Sequence, residues 1–164
     1  MNIKKLSLTA LLAALTFSAT IIIRIPSFSG GYINLGDMLV LISGYLLGPV
    51  GALAAGIGSL FADLSAGFFI YAPATFIIKG LMALVGYCIA VKGFNFKKIG
   101  LLIGGLVAEL IMVFGYFIFE CFLYGAAGAA INIIPNLIQG AVGAISAFFV
   151  ITPIKKQLEK FETK

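Results

Sequence analysis

Histidine and tryptophan are absent from this chain. The lack of histidine excludes imidazole acid–base chemistry and imidazole metal ligation. Cysteine is scarce. Cys88 and Cys121 both fall in apolar runs and form no Cys-x-x-Cys pair. They read as small buried hydrophobes rather than a metal or redox site. Charge is scarce too: 10% of the 164 residues are Asp, Glu, Lys or Arg, against about 25% in a soluble domain. No Gly-x-x-x-x-Gly-Lys-Ser/Thr loop is present, so the chain is not a P-loop ATPase. There is no internal repeat and no convincing inverted symmetry between the halves, which argues against a self-sufficient secondary transporter or channel. An intramembrane enzyme would have to rest its chemistry on Glu109 or Glu120 alone. No cofactor or metal is expected.

What is present is mostly oil: 62% hydrophobic residues and a mean hydropathy of +1.16. The expected class is an all-α integral membrane protein, a single domain over residues 1–164. Apolar runs predict six transmembrane helices at about 6–25, 37–47, 50–65, 74–91, 99–122 and 131–151. The basic start Asn2-Ile3-Lys4-Lys5 precedes a run long enough to span a bilayer, with no small-x-small cleavage site after it. It therefore reads as a helix, not a cleaved signal. Asp37 follows Gly36 and is expected to cap the second helix. Gly48-Pro49 breaks that helix and starts the third. Gly51, Ala52, Ala54, Ala55, Gly56 and Gly58 make the third helix smooth on all sides, fit for the bundle centre. Pro153 is expected to end the sixth helix, leaving Lys155–Lys164 as a charged tail.

The surplus of 11 basic over 6 acidic residues could point to nucleic acid. Its placement says otherwise. With the N-terminus inside, Lys4, Lys5, Lys92, Lys97, Lys98, Lys155, Lys156, Lys160 and Lys164 all fall on the cytoplasmic side. This predicts a multi-pass protein of the cytoplasmic membrane with both termini inside and no nucleic-acid partner. The segment Ser27–Asp37, the aromatic turn Gly67–Pro73 and the small-residue loop Tyr124–Ala130 then face outward. Ser27–Asp37 is the longest polar interruption, with Gly30, Gly31 and Gly36 as flexible points. It is expected to be a lid or recognition loop, the alternative being a plain connector.

Polar groups inside the membrane should each have a partner or a task. Glu109, Tyr116 and Glu120 share one face of the fifth helix, and Asn132, Asn136 and Gln139 share one face of the sixth. Most of these groups fall in the outer half, below the outward loops. They are expected to form a pocket for a small polar ligand, with interhelical packing as the alternative. The substrate-binding set is Tyr32, Asn34, Tyr116, Glu120, Asn132, Asn136 and Gln139, with Phe68 and Tyr71 as stacking surfaces. Arg24, Asp37, Asp63, Lys79 and Glu109 are expected to support it, through the ion pairs Asp63–Lys79 and Arg24–Asp37. On the first helix, Ala10, Ala14 and Ser18 form a smooth stripe where another backbone can come close.

The chain resembles the S components of energy-coupling factor (ECF) transporters. The likeness covers nearly its whole length. It rests on size, on the stripe from Ala10 to Ala14, and on the texts Tyr32-Ile-Asn-Leu-Gly-Asp37, Gly44-Tyr-Leu-Leu-Gly-Pro49, Ala62-Asp63 and Ala72-Pro-Ala-Thr-Phe-Ile-Ile-Lys-Gly80. It is most similar to the branch assigned to hydroxymethylpyrimidine, pyridoxine-type vitamins or riboflavin. The resemblance implies capture of a vitamin or precursor at the outer face. It also implies docking of the first helix onto a transmembrane coupling subunit, with two separate ATPase subunits powering release inside.

Overall fold

The computed structural model describes residues 3–22, 24–26 and 32–162. Ser27–Gly31, with the flexible points Gly30 and Gly31 of the expected lid, lies outside the described residues.

Helix α1 is Ile3–Ile22. At 1.5 Å per residue it is roughly 30 Å long, about one bilayer core. It ends earlier than expected because Arg24–Pro26 forms a strand, β1, which pairs antiparallel with β2, Tyr32–Asn34. The register is Arg24 opposite Asn34, Ile25 opposite Ile33 and Pro26 opposite Tyr32. Pro26 stands at the last pair, where a missing N–H disturbs the ladder least.

Helix α2, Gly36–Leu47, has Leu35 at its N-cap and no side-chain cap bond. Asp37 is therefore not the cap. Its carboxylate turns inward to Lys79 and Gln139. Magnitudes explain the choice. A side-chain cap contributes about 1 kcal/mol, whereas a buried lysine stripped of its partner costs about 3–5 kcal/mol. At 12 residues, α2 is roughly 18 Å long, shorter than a bilayer core. It is the short member of the bundle; the other five helical segments are long and apolar enough to cross a membrane. The bundle closes around it: α2 touches α1, α4 and α6 as well as the next helix, and Val40 and Leu41 have no exposed surface.

Helix α3, Pro49–Ala66, starts directly after Gly48, whose φ of 60° turns the chain between α2 and α3. Glycine lets the backbones close up here. A Cβ on Gly51 would sit 1.8 Å from the Ser43 carbonyl oxygen, and one on Gly44 would sit 2.2 Å from that of Ala83. Helix α4, Ala72–Tyr87, runs on into a π-helical turn, Cys88–Gly93.

Helix α5, Lys98–Ala130, reaches past the expected end. Gly125, with φ 75° and ψ 167°, breaks it, so the expected loop at Tyr124–Ala130 is a kink followed by a further helical stretch. Helix α6, Ile133–Glu162, passes through Pro153 instead of stopping there. Proline removes one backbone bond of the ladder, and next to the gap the Thr152 hydroxyl donates to the Phe148 carbonyl at 2.6 Å. The outward faces carry Leu53, Phe61, Ile77, Leu106, Phe114, Ile118, Ile145 and Phe149, all exposed. Such a belt is stable against lipid tails and unstable against water.

Candidate functional site beneath the hairpin

Polar side chains inside an apolar bundle must find partners, and here they find them at one end. A cavity lies under the β1–β2 hairpin, walled by α1, β2, α3, α4, α5 and α6. All seven residues expected to contact substrate line it: Tyr32, Asn34, Tyr116, Glu120, Asn132, Asn136 and Gln139. Phe68 and Tyr71, from the turn between α3 and α4, line it too.

The hairpin is tied down at two points. The Tyr32 hydroxyl donates to Asp63 Oδ1 at 2.6 Å, and the Asn34 backbone N–H donates to Gln139 Oε1 at 2.8 Å. Burial raises the Tyr32 phenol well above its usual range, and the adjoining Asp63 carboxylate adds to the effect. Tyr32 therefore stays a protonated donor. Phe68 packs on its ring at 5.0 Å between centroids.

At the floor, Lys79 and Gln139 line the cavity and Asp37 braces both from behind. Asp37 Oδ1 pairs with the Lys79 ammonium, and its Oδ2 accepts from Gln139 Nε2 at 2.6 Å. Lys79 also lies 5.4 Å from the centre of the Tyr116 ring. The two ion pairs expected from the sequence are not the ones formed. Lys79 pairs with Asp37 rather than Asp63, and Asp63 takes the Tyr32 hydroxyl instead. Arg24 is exposed and sits 5.9 Å from the centre of the Tyr32 ring, with no ion pair to Asp37. The reason is packing. Helix α2 is enclosed by α4 and α6, so Asp37 reaches Lys79 and Gln139 before the rim.

The far wall is a second network. Glu120 Oε1 accepts from Asn132 Nδ2 at 2.8 Å and from the Tyr71 hydroxyl at 3.2 Å. Thr75 and Tyr116 share a hydroxyl–hydroxyl bond of 3.0 Å. Glu109 stands apart. It does not line the cavity, is 5% exposed, and neither carboxylate oxygen has a hydrogen-bond partner among the described residues. It fits against α6 where Gly140 and Gly143 leave room: a Cβ on Gly143 would come within 2.7 Å of Glu109 Oε1.

Thr20, Ser59 and Thr75 also line the cavity, and sequence reasoning missed them. A signal existed. Ser59 stands four residues before Asp63 and Thr75 four before Lys79, which places each hydroxyl on the same helix face as a buried charge.

On α1 the core-facing residues are Leu12, Thr16 and Thr20. Ala10 and Ala14 are exposed and Ser18 is half-buried, so the stripe runs along the outer flank of the bundle. Ala14 borders a shallow groove against Ile57, Gly58 and Phe61 of α3.

Comparison with known proteins agrees with this architecture. The chain is 32% identical over 156 residues to the thiamine precursor transporter HmpT of Lactococcus lactis subsp. cremoris, covering 93% of this chain and 88% of that one. It is 34% identical over 128 residues to an uncharacterised protein of Pyrococcus woesei, covering 77% of this chain and 84% of the other. A solved structure of the S component of a bacterial ECF transporter shares the fold with a TM-score of 0.70 at 24% identity, over 98% of both chains. The family model for the S component of ECF-type riboflavin transporters matches residues 1–156. Together with the membrane bundle and its polar cavity, that match places the chain: it belongs to the family of ECF-type riboflavin transporter S components.

Proposed function

We propose that this chain, a multi-pass protein of the cell membrane, captures a vitamin or vitamin precursor in the cavity beneath the hairpin. The observation that carries the proposal is the lining: amides, carboxylates, hydroxyls and four aromatic rings, those of Tyr32, Phe68, Tyr71 and Tyr116, face one space. Rings stack a flat ligand, while the amides and carboxylates orient its polar edge.

The charge pattern narrows the ligand class. Lys79 is the only cationic residue lining the cavity among the described residues, and Asp37 already holds it. Within the lining, no cation is left over to neutralise a phosphate. A neutral or weakly basic heteroaromatic ring with hydroxyl or amino groups suits the lining better, and a thiamine precursor such as hydroxymethylpyrimidine is the first candidate. Several buried hydrogen bonds together can support nanomolar affinity, about −12 kcal/mol.

In this reading both termini are cytoplasmic and the hairpin faces outward, which puts Lys4, Lys5, Lys92, Lys97 and Lys98 inside. Helix α1 docks onto a transmembrane coupling subunit through Ala10, Ala14 and Ser18. Two separate ATPase subunits supply the energy, and the chain itself performs no catalysis.

The test is native mass spectrometry of the purified protein with its co-purified small molecule. A bound heteroaromatic vitamin or precursor supports the proposal. A bound phosphorylated or purely aliphatic molecule contradicts it.

A further inference from the structure

Hydrogen bonding around the cavity is nearly closed on itself. Tyr32 donates to Asp63, Gln139 to Asp37, Asn132 to Glu120, and Lys79 pairs with Asp37. Two fully buried atoms of lining residues are exceptions. Ser59 Oγ on α3 and Glu120 Oε2 on α5 are buried and have no hydrogen-bond partner among the described residues. Ser59 is 2% exposed and Glu120 is 3% exposed. Buried polar groups are normally satisfied, so an orphan in a binding cavity calls for a partner from outside the chain.

The chemistry of that partner follows from Glu120. Its Oε1 takes two donors, Asn132 Nδ2 and the Tyr71 hydroxyl, which fix how the carboxylate is turned. As a carboxylate, its Oε2 is an acceptor and nothing else. What it lacks is an N–H or O–H. Ser59 is more adaptable, since a hydroxyl donates and accepts.

We propose that Glu120 Oε2 reads a ring amino group of the ligand and Ser59 Oγ a further polar group of it, so that the cavity takes an amino-substituted heteroaromatic ring and rejects its oxo counterpart. The proposal rests on the capture function above and names what that site discriminates. An oxo group opposite Oε2 sets acceptor against acceptor and leaves both desolvated. Sites built to bond a substrate N–H or O–H reject analogues lacking it by about 10⁴-fold or more; with one such contact at stake, the expected discrimination is at least about a hundredfold.

The experiment is calorimetric titration of the purified protein with two probes, hydroxymethylpyrimidine bearing a ring amino group and the analogue with oxo in its place. The parent should bind the amino probe at least about a hundredfold more tightly. Glu120→Gln should shift that ratio towards the oxo probe by at least about tenfold. Asn132 and Tyr71 hold the amide oxygen on the Oε1 side, which turns the new NH₂ donor to the place of Oε2. Ser59→Ala should weaken the amino probe about tenfold without lowering the thermal midpoint of the ligand-free protein, because Ser59 has no internal bond to lose. Equal binding of the two probes by the parent overturns the proposal, as does an unchanged ratio in Glu120→Gln. A Ser59→Ala protein that melts earlier but binds normally removes Ser59 from it. If Glu120→Gln does not fold, the parent ratio and Ser59→Ala decide. If neither probe binds the parent, the capture of this ring class fails and this proposal with it, an outcome distinct from equal binding.

Discussion

Gln139 and Asp37 are joined by a 2.6 Å hydrogen bond across 102 residues of chain. The same Gln139 accepts the backbone N–H of Asn34, and the same Asp37 holds Lys79. Four elements, β2, α2, α4 and α6, are thereby locked at the floor of one cavity. Rearrangement at any of them is felt by the other three.

This lock makes the first prediction. Lys79→Met leaves Asp37 buried without its cation and should destabilise the protein by about 3–5 kcal/mol. Replacing both members, Asp37→Asn with Lys79→Gln, removes both charges together and should recover much of that loss. Thermal unfolding in detergent measures it. A single variant as stable as the parent would mean that the pair adds nothing to the fold.

The hairpin makes the second. Tyr32→Phe removes the donor to Asp63 and should speed ligand release by about tenfold, the loss of one buried bond to a charged group. The pH dependence has a definite sign. Burial, and then Asp63, raise the Tyr32 phenol above its usual range. The stabilisation it provides is complete below the unfolded value near pH 10 and is lost only as pH rises through the higher folded value. The difference in release rate between parent and Tyr32→Phe should therefore be the same at pH 7 and pH 9. Stopped-flow displacement reads it; a difference that vanishes by pH 9 contradicts the assignment.

Glu109 makes the third. With both carboxylate oxygens unpartnered inside the bundle, it gains nothing from hydrogen bonding. Exchanging a buried polar group without partners for an apolar one of similar volume is neutral or stabilising. Glu109→Met should match or exceed the parent in thermal midpoint. A large drop would show that the carboxyl has a structural partner.

The outer flank of α1 makes the fourth. Ala10 and Ala14 are exposed and make no part of the core. Bulky replacements there, Ala10→Leu with Ala14→Leu, should leave ligand binding intact and abolish uptake in cells, because a large side chain prevents close helix approach. Normal uptake by the double variant removes α1 as the docking surface.

Much of this arrangement is legible in the sequence, and the limits are physical. Asn132, Asn136 and Gln139 stand out because single amides at helical spacing interrupt an otherwise apolar run. The period alone puts them on one face. Which charge pairs with which is different. Asp37 and Asp63 are equally plausible partners for Lys79 until the helices are packed, and only the enclosure of α2 chooses between them. The hairpin has three-residue arms, too short for a period to register. The kink at Gly125 and the passage through Pro153 depend on neighbours that local propensity does not see. Ser59 and Thr75 look like ordinary small residues of tightly packed helices until the fold sets them in the cavity wall.

The most direct test of the account is the affinity of Asn136→Ala and Glu120→Ala for the ligand identified by mass spectrometry. Asn136 lines the cavity and makes no side-chain hydrogen bond among the described residues, so its removal takes nothing from the fold. Each variant should remain folded and lose about 1–3 kcal/mol of binding, roughly ten- to a hundredfold in affinity by calorimetry. If both bind as tightly as the parent, the ligand does not sit between α5 and α6, and the polar stripes serve only to hold the helices together.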